Sequence, residues 1–342
     1  MNRKIDIANY RKVKLPVITN EEAQRIGVKK DSWSFSYVYH LEELRDIYIA
    51  LRDHRFVNHK EFARYCKKIE VPFCKTPWND RRILEHLNAL KNFDLIDARY
   101  SVKQSAFMDS KMGGGLTKEE KETFRCIFFS YFRFKEIMTW FIDLETNNKQ
   151  QLIKDISYHQ LEKESCALFP FAYQERFVNS FLHDLQEEKL YFLGKDEHND
   201  FKRFWDVFIS WGKALGVIQR FAMTSFDYQI EGASSFACVY FPRKDIAIEK
   251  IDVIQFIKNN FLSRYVRIPN LVFHLCSIYR LPLEIAKDLV IETYLRNKEL
   301  LSIERTSEVF IRKRSQREDE RDERTLFPMY KDSFVSHIVL RR

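Results

Sequence analysis

Lys75, Arg81 and Arg82 lie close together in the chain, and Arg99 and Lys103 follow within one small unit. Arg305, Arg312, Lys313 and Arg314 form a second basic group near the end. Arginine presents a planar fork of donors that pairs bidentately with phosphate or a guanine edge, so these residue types suit a polyanion such as double-stranded DNA. A third set has the opposite sign. Glu284, Asp288 and Glu292 recur every fourth residue, which places three carboxylates on one face of a helix. Such a face repels a phosphate backbone, and the expectation is that it meets a protein partner or solvent.

Other groups that could do chemistry fail on spacing or context. Glu187-Glu188-Lys189, with Asp184 upstream, contains the E-x-K half of a metal-dependent nuclease core. That chemistry needs the acid and the lysine on a strand, whereas this segment reads as the end of an amphipathic helix. His198-Asn199-Asp200 and Tyr158-His159 have no nucleophile or partner carboxylate at a telling spacing. No G-x-S-x-G, H-E-x-x-H or kinase pattern occurs. The six cysteines are scattered without a C-x-x-C pair, which suits buried free thiols over a zinc site. No catalytic residue, metal, cofactor or small-molecule substrate is expected.

Two stretches, Leu41 to Met108 and Lys250 to Lys313, must position the charged groups, and they read as one small unit written twice. In the first, Leu41, Leu44, Ile47, Tyr48 and Leu51 form one helical stripe. Asn58 is placed to cap a second helix from His59, with Phe62, Ala63 and Cys66 inward. A third helix follows to about Asn92, with Ile83, Leu84, Leu87 and Leu90 inward and Asn79, Arg81, Arg82 and Glu85 outward. Leu95 to Tyr100 and Val102 to Met108 then read as a two-stranded ribbon. In the second stretch Ile251, Ile254 and Ile257 share a helix. Pro269 and Pro282 open two more, at the first-turn position where proline is tolerated. Leu300 to Glu304 and Glu308 to Arg312 are expected as its ribbon, with Phe334 to Leu340 a final strand.

Between and around the units the pattern is more mixed. Residues 1–30 read as an irregular basic arm. Asp31 to His40 alternates, with Trp33, Phe35, Tyr37 and Tyr39 on one parity, as a strand with an aromatic face does. Lys111-Met112-Gly113-Gly114-Gly115 reads as a flexible hinge. Leu116 to about Glu164 reads as helical, and its dense aromatics are assigned to core packing. Residues 166–245 suggest a degenerate third copy of the unit, with helices over 177–188 and 200–214 and strands over 217–224 and 235–243. The run from Arg312 to Arg324 is almost wholly charged, as a solvated helix or tether is, and opens a charged C-terminal tail over 314–342. The domain reading is therefore 1–40, 41–110, 111–165, 166–245, 250–313 and 314–342.

Charge follows this division. The chain has 342 residues and a formal net charge of +8. Residues 1–110 hold 21 Lys+Arg against 15 Asp+Glu and residues 250–342 hold 18 against 13. The middle holds 18 against 21, so both helical units are basic and the segment between them is mildly acidic. Basic flanks suit a polyanion but carry no sequence specificity by themselves. No apolar run reaches the roughly 18 residues that span a bilayer, and the charged start Met1-Asn2-Arg3-Lys4 lacks a signal-peptide core. A cytoplasmic protein without a membrane partner is expected.

In element order, helix lengths and apolar stripes the two units resemble the winged-helix superfamily. The resemblance implies a mainly α fold with short β-wings (α+β), built as tandem winged-helix domains around a helical middle segment. It also implies that Lys75, Arg81 and Arg82, at the start of the third helix of the first unit, meet DNA together with Arg99 and Lys103 of its wing. Arg305, Arg312, Lys313 and Arg314 would do so from the second wing, while Glu284, Asp288 and Glu292 face a partner. Tandem winged helices occur in sequence-specific regulators and replication initiators, in accessory subunits of chromosome-organising or DNA-defence machines that clamp an ATPase or nuclease, and in targeting subunits. The acidic helix and aromatic middle favour a subunit of a larger bacterial-type assembly. A stand-alone regulator or initiator, and a structural subunit docking an SMC-like ATPase without touching DNA, are the alternatives.

Overall fold

The computed structural model describes residues 37–56, 58–69, 80–103, 106–131, 133–134, 138, 197–224, 235–243, 246–306 and 323–341, with strand positions 3–4, 169–171 and 228–229. Helix dominates these residues and the strands form small sheets, so the fold is mixed α and β.

Helices α1 (Leu41–Asp53), α2 (His59–Ile69) and α3 (Asp80–Asn92) form as their stripes demand. Asn58 Oδ1 accepts the amides of Lys60 and Glu61 at 3.0 Å and starts α2. Among the described residues the two-stranded ribbon expected after α3 is one antiparallel bridge, Ile96 to Val102. Asp97 closes its turn by accepting the amides of Arg99 and Ser101 at 2.7 and 2.8 Å.

The glycine run expected as a hinge is instead held to α1. Arg45, 1% exposed, donates to the carbonyls of Gly113, Gly114 and Gly115 at 2.9 to 3.3 Å, and Asp46 accepts the Gly113 amide. Two turns further along the same face, Arg52 donates to the carbonyls of Phe107, Met108 and Ser110. Two arginines seven residues apart on α1 thus satisfy the carbonyls of a crossing strap, which removes its freedom.

Helix α4 (Lys118–Ser130) begins with a capping box in which Thr117 and Glu120 bond reciprocally. Helix α4 ends at Ser130, where Tyr131 is extended (φ −69°, ψ 121°), and helix resumes at 133–134 and 138; the rest of the stretch expected as helical to about 164 lies outside the described residues. The aromatics of this region are core, as their spacing predicts. Phe128 stacks on Phe208, Phe134 on Phe204, and Phe93 meets both Tyr131 and Trp211. Phe204, Phe208 and Trp211 come from α5 (Glu197–Ala214), so α1 to α5 share one apolar cluster. Gly212 lies against Ile218, where a Cβ would stand 2.3 Å from the Ile218 side chain. Gly216 takes φ +66° to reverse the chain after α5, and Arg125 donates to the Leu215 carbonyl at that end.

The described part of the aromatic strand, Tyr37 to His40, is not a strand, and its buried member is Val38, not the tyrosines. Trp211 Nε1 donates to the Val38 carbonyl at 2.7 Å and Ser210 Oγ to that of Tyr39 at 2.9 Å. Packing on α5 therefore satisfies this backbone in place of a ladder. In the N-terminal arm β1 (Arg3–Lys4) pairs in parallel with β4 (Tyr228–Gln229). A second sheet runs β2 (Phe169–Phe171), β5 (Ser235–Tyr240), β3 (Gln219–Thr224), all antiparallel. The helix expected over 177–188 lies outside the described residues.

The last region forms a second apolar cluster, joined by Phe221 and Tyr240 from the second sheet. Tyr240 OH donates to the buried carbonyl of Leu281 at 2.7 Å. Its order is α6 (Val253–Asn260), β6 (Tyr265–Arg267), α7 (Ile268–Tyr279), α8 (Leu283–Arg296), β7 (Leu301–Thr306), β8 (Met329–Tyr330) and β9 (Ser333–Leu340). The sheet runs β6-β9-β7, with β8 on β9. The expected partner of β7 over 308–312 lies outside the described residues. Along its whole length β7 pairs with β9, from Leu301–Leu340 to Thr306–Phe334. The final strand expected over 334–340 is β9, and it is the central strand, because Val335 and Ile338 carry its apolar face into the core. Among the described residues no helix is long and apolar enough to cross a membrane.

Candidate nucleic-acid interface

Of the first basic group, Lys75 lies outside the described residues. Arg81 is exposed at the start of α3, its guanidinium 5.6 Å from the centre of the Tyr37 ring. Arg203 of α5 approaches the same ring at 5.1 Å. Arg82 is placed differently from the expectation. Its Nη2 lies 2.6 Å from both carboxylate oxygens of Glu43, a residue of α1 with no exposed surface. The reason is its angle on α3, which points the side chain back over α1 and away from the face that holds Arg81.

Glu43 also lies 3.5 Å from His86 Nε2, and His86 Nδ1 is 2.8 Å from the Arg82 carbonyl. Burial disfavours the charged form of Glu43, but hydrogen bonds from His86 and Arg82 outweigh it and hold the carboxyl below its ordinary range. Asp46 behaves oppositely: burial dominates and raises its carboxyl above the ordinary range despite the neighbouring Arg45. Glu120, 3.0 Å from Arg45, is lowered, its burial outweighed by bonds from Thr117, Ser110 and Arg45. The polar chemistry under α1 is therefore a buried ionic network, and Arg82 belongs to it.

Arg99 is exposed in the hairpin turn. Lys103 is exposed and paired with Asp94 at 2.6 Å. The remaining surface of α3 carries Asp80 and Asn88 exposed and Leu84 and Lys91 half-buried, the Lys91 ammonium resting 4.1 Å over Tyr100. This is a mixed face with few groups free to read bases.

A denser cation surface lies on α2, which sequence reasoning passed over. Lys60, Arg64, Lys67 and Lys68 are all exposed, opposite the buried Phe62, Ala63 and Cys66. Positions i, i+4, i+7 and i+8 fall within an arc of roughly 100°, so the four charges form one stripe, with the exposed carboxylate of Glu61 at its edge. Lys67 Nζ bonds Asp80 at 2.9 Å, which places the end of the stripe beside the start of α3 and holds the Asp80 carboxyl below its usual range. The spacing was legible in the sequence once the inner face of α2 was known.

In the last region Arg305 is exposed in β7, at the bulge that shifts its register on β9. Arg312, Lys313 and Arg314 lie outside the described residues. Glu284, Asp288 and Glu292 come out together on the exposed face of α8, as their spacing requires. Two of the three are partnered on that helix, Glu284 by Lys287 at 2.7 Å and Glu292 by Arg296 at 2.9 Å. On the outer side of the sheet Tyr265 stacks on His337 and donates to Glu304.

Asp184, Glu187 and Lys189 lie outside the described residues. Among the described residues no cluster of His, Cys, Asp and Glu could hold a metal ion. Cys66 and Cys276 are buried, and burial pushes both thiols up to about 12, which leaves them protonated and unreactive near neutrality. No family model, curated protein or solved structure matches this chain.

Proposed function

We propose that this chain is a non-enzymatic, nucleic-acid-binding accessory subunit of a larger bacterial-type DNA-processing or defence assembly. In this reading its tandem units are winged helices. The first contacts double-stranded DNA and the last docks a protein partner, of the ATPase or nuclease kind. Support for the fold comes from the last region, whose helix–strand–helix–helix order followed by three strands, with a β6-β9-β7 sheet, is compatible with a winged helix. For the first region the support is three helices followed by a small hairpin.

The observation that carries the division of labour is the difference in charge between two outer faces. Around α2 and α3 the exposed cations Lys60, Arg64, Lys67, Lys68, Arg81, Arg99 and Lys103 outnumber the exposed carboxylates Asp53, Glu61, Asp80 and Asp94. The exposed face of α8 presents Glu284, Asp288 and Glu292. Phosphate is attracted by the first and repelled by the second.

Fluorescence anisotropy of the full chain on a random-sequence duplex tests the reading. Measurable binding near 50 mM salt that weakens steeply by about 200 mM is the expected result. Absence of binding at low salt would sink the DNA assignment, and metal-dependent cleavage of the duplex would sink the non-enzymatic one.

A further inference from the structure

We infer that the duplex lies along the outer face of α2, and that this face grips the phosphate backbone without reading sequence. The inference rests on the DNA-binding reading above and names the surface and mode of contact. Lys60 and Lys68 are separated by eight residues, so the stripe is about 12 Å long at ~1.5 Å per residue. That length matches three to four base steps at ~3.4 Å each along one strand.

The residue types point to phosphate. Three of the four cations are lysines, point charges without the planar fork that reads a guanine edge. The helix that would read bases is poorly equipped, since Arg82 is held by Glu43 and Arg81 rests on Tyr37. The same face disfavours other polyanions. A single strand would need exposed rings to stack on, and Tyr65, the aromatic of α2 flanking the stripe among the described residues, packs against His54 and Phe56. An anionic membrane would need apolar side chains beside the cations, and Phe62, Ala63 and Cys66 of α2 are turned into the core.

The test uses the full chain with Lys60, Arg64 and Lys68 changed together to glutamine. Lys67 is left in place because it holds Asp80. Losing three phosphate contacts should flatten the slope of log affinity against log salt by roughly 2.7, which shrinks the affinity ratio between 50 and 200 mM by about fortyfold. All three side chains are exposed, so the midpoint of thermal unfolding should not move, and unrelated duplexes should bind within about tenfold of each other. Arg81→Gln/Arg99→Gln should change the slope less than the α2 variant does. A wild-type slope in the α2 variant would overturn the inference while leaving DNA binding intact. So would a thousandfold preference for one duplex, or tighter binding of a single strand or of phosphatidylserine vesicles. Wild-type protein that binds no duplex would instead remove the reading beneath it.

Discussion

Helices α1 to α3 close over Glu43, Arg45, Asp46 and His86, none more than 1% exposed, while α6 to α8 close over an apolar cluster whose buried polar members are Asn270, His274 and Arg280. The second helices differ as much. Four cations stand on the outside of α2, whereas α7 is buried continuously from Ile268 to Cys276. The contrast teaches how one helix order can be held together in two ways. A buried ionic network fixes the placement of α1, α3 and the 107–115 strap through directional bonds, and it frees α2 to face outward. The last region encloses α7 with β-strands and is held by volume and shape instead.

The largest effect should come from the network. Arg45→Met preserves most of the side-chain volume but leaves the Asp46 and Glu120 carboxylates and three glycine carbonyls without their donor. A loss of about 3–5 kcal/mol is expected in urea unfolding, with partial recovery when Asp46→Asn and Glu120→Gln are added. A loss under ~1 kcal/mol would mean that the strap does not depend on Arg45.

The last region should instead respond to lost volume. Leu275 is fully buried, and Leu275→Ala is expected to cost about 3 kcal/mol by the same measurement. Hydrogen exchange should show the loss of protection concentrated in α7 and α8, sparing α1 and α3.

Acid should separate the two regions. The folded Glu43 carboxyl is depressed, so its contribution is present above its unfolded value of about 4.3 and is lost as pH falls through the folded value. Amides of α1 and α3 should therefore lose protection below about pH 4 before those of α7 and α8. Glu43→Gln should cost about 2 kcal/mol at pH 7 and flatten this dependence. Asp46, raised by burial, acts in the opposite direction, so the Glu43 variant isolates the one group.

Least affected should be the acidic face of α8. Glu292→Gln removes an exposed pair with Arg296 and should change stability by no more than about 0.5 kcal/mol. A larger change would place α8 against another part of the chain.

Local signals were legible where a short stretch of chain decides the outcome. The stripes of α1 to α3, the Asn58 cap, the prolines at the starts of α7 and α8 and the Gly216 stop all lie within one or two turns of what they control. The Thr117-x-x-Glu120 box was equally readable. The acidic face of α8 emerged because its spacing alone sets it, and the stripe on α2 was available by the same rule. The fate of Arg82 was not legible, since its partner Glu43 lies 39 residues away. Nor was that of the glycine strap, whose composition signals flexibility until Arg45 and Arg52 arrive from another helix.

Amino-acid order thus determined the helices, their inner faces and the sign of charge on each outer face, because these follow from periodicity and capping within a few residues. Tertiary structure decided which charges are paired inside and which remain on the surface. It also decided that β9, remote in the chain, pairs with both β6 and β7 to complete the last sheet. Such pairings and ion pairs join residues separated by tens of positions, and their geometry exists only once the elements between them have packed.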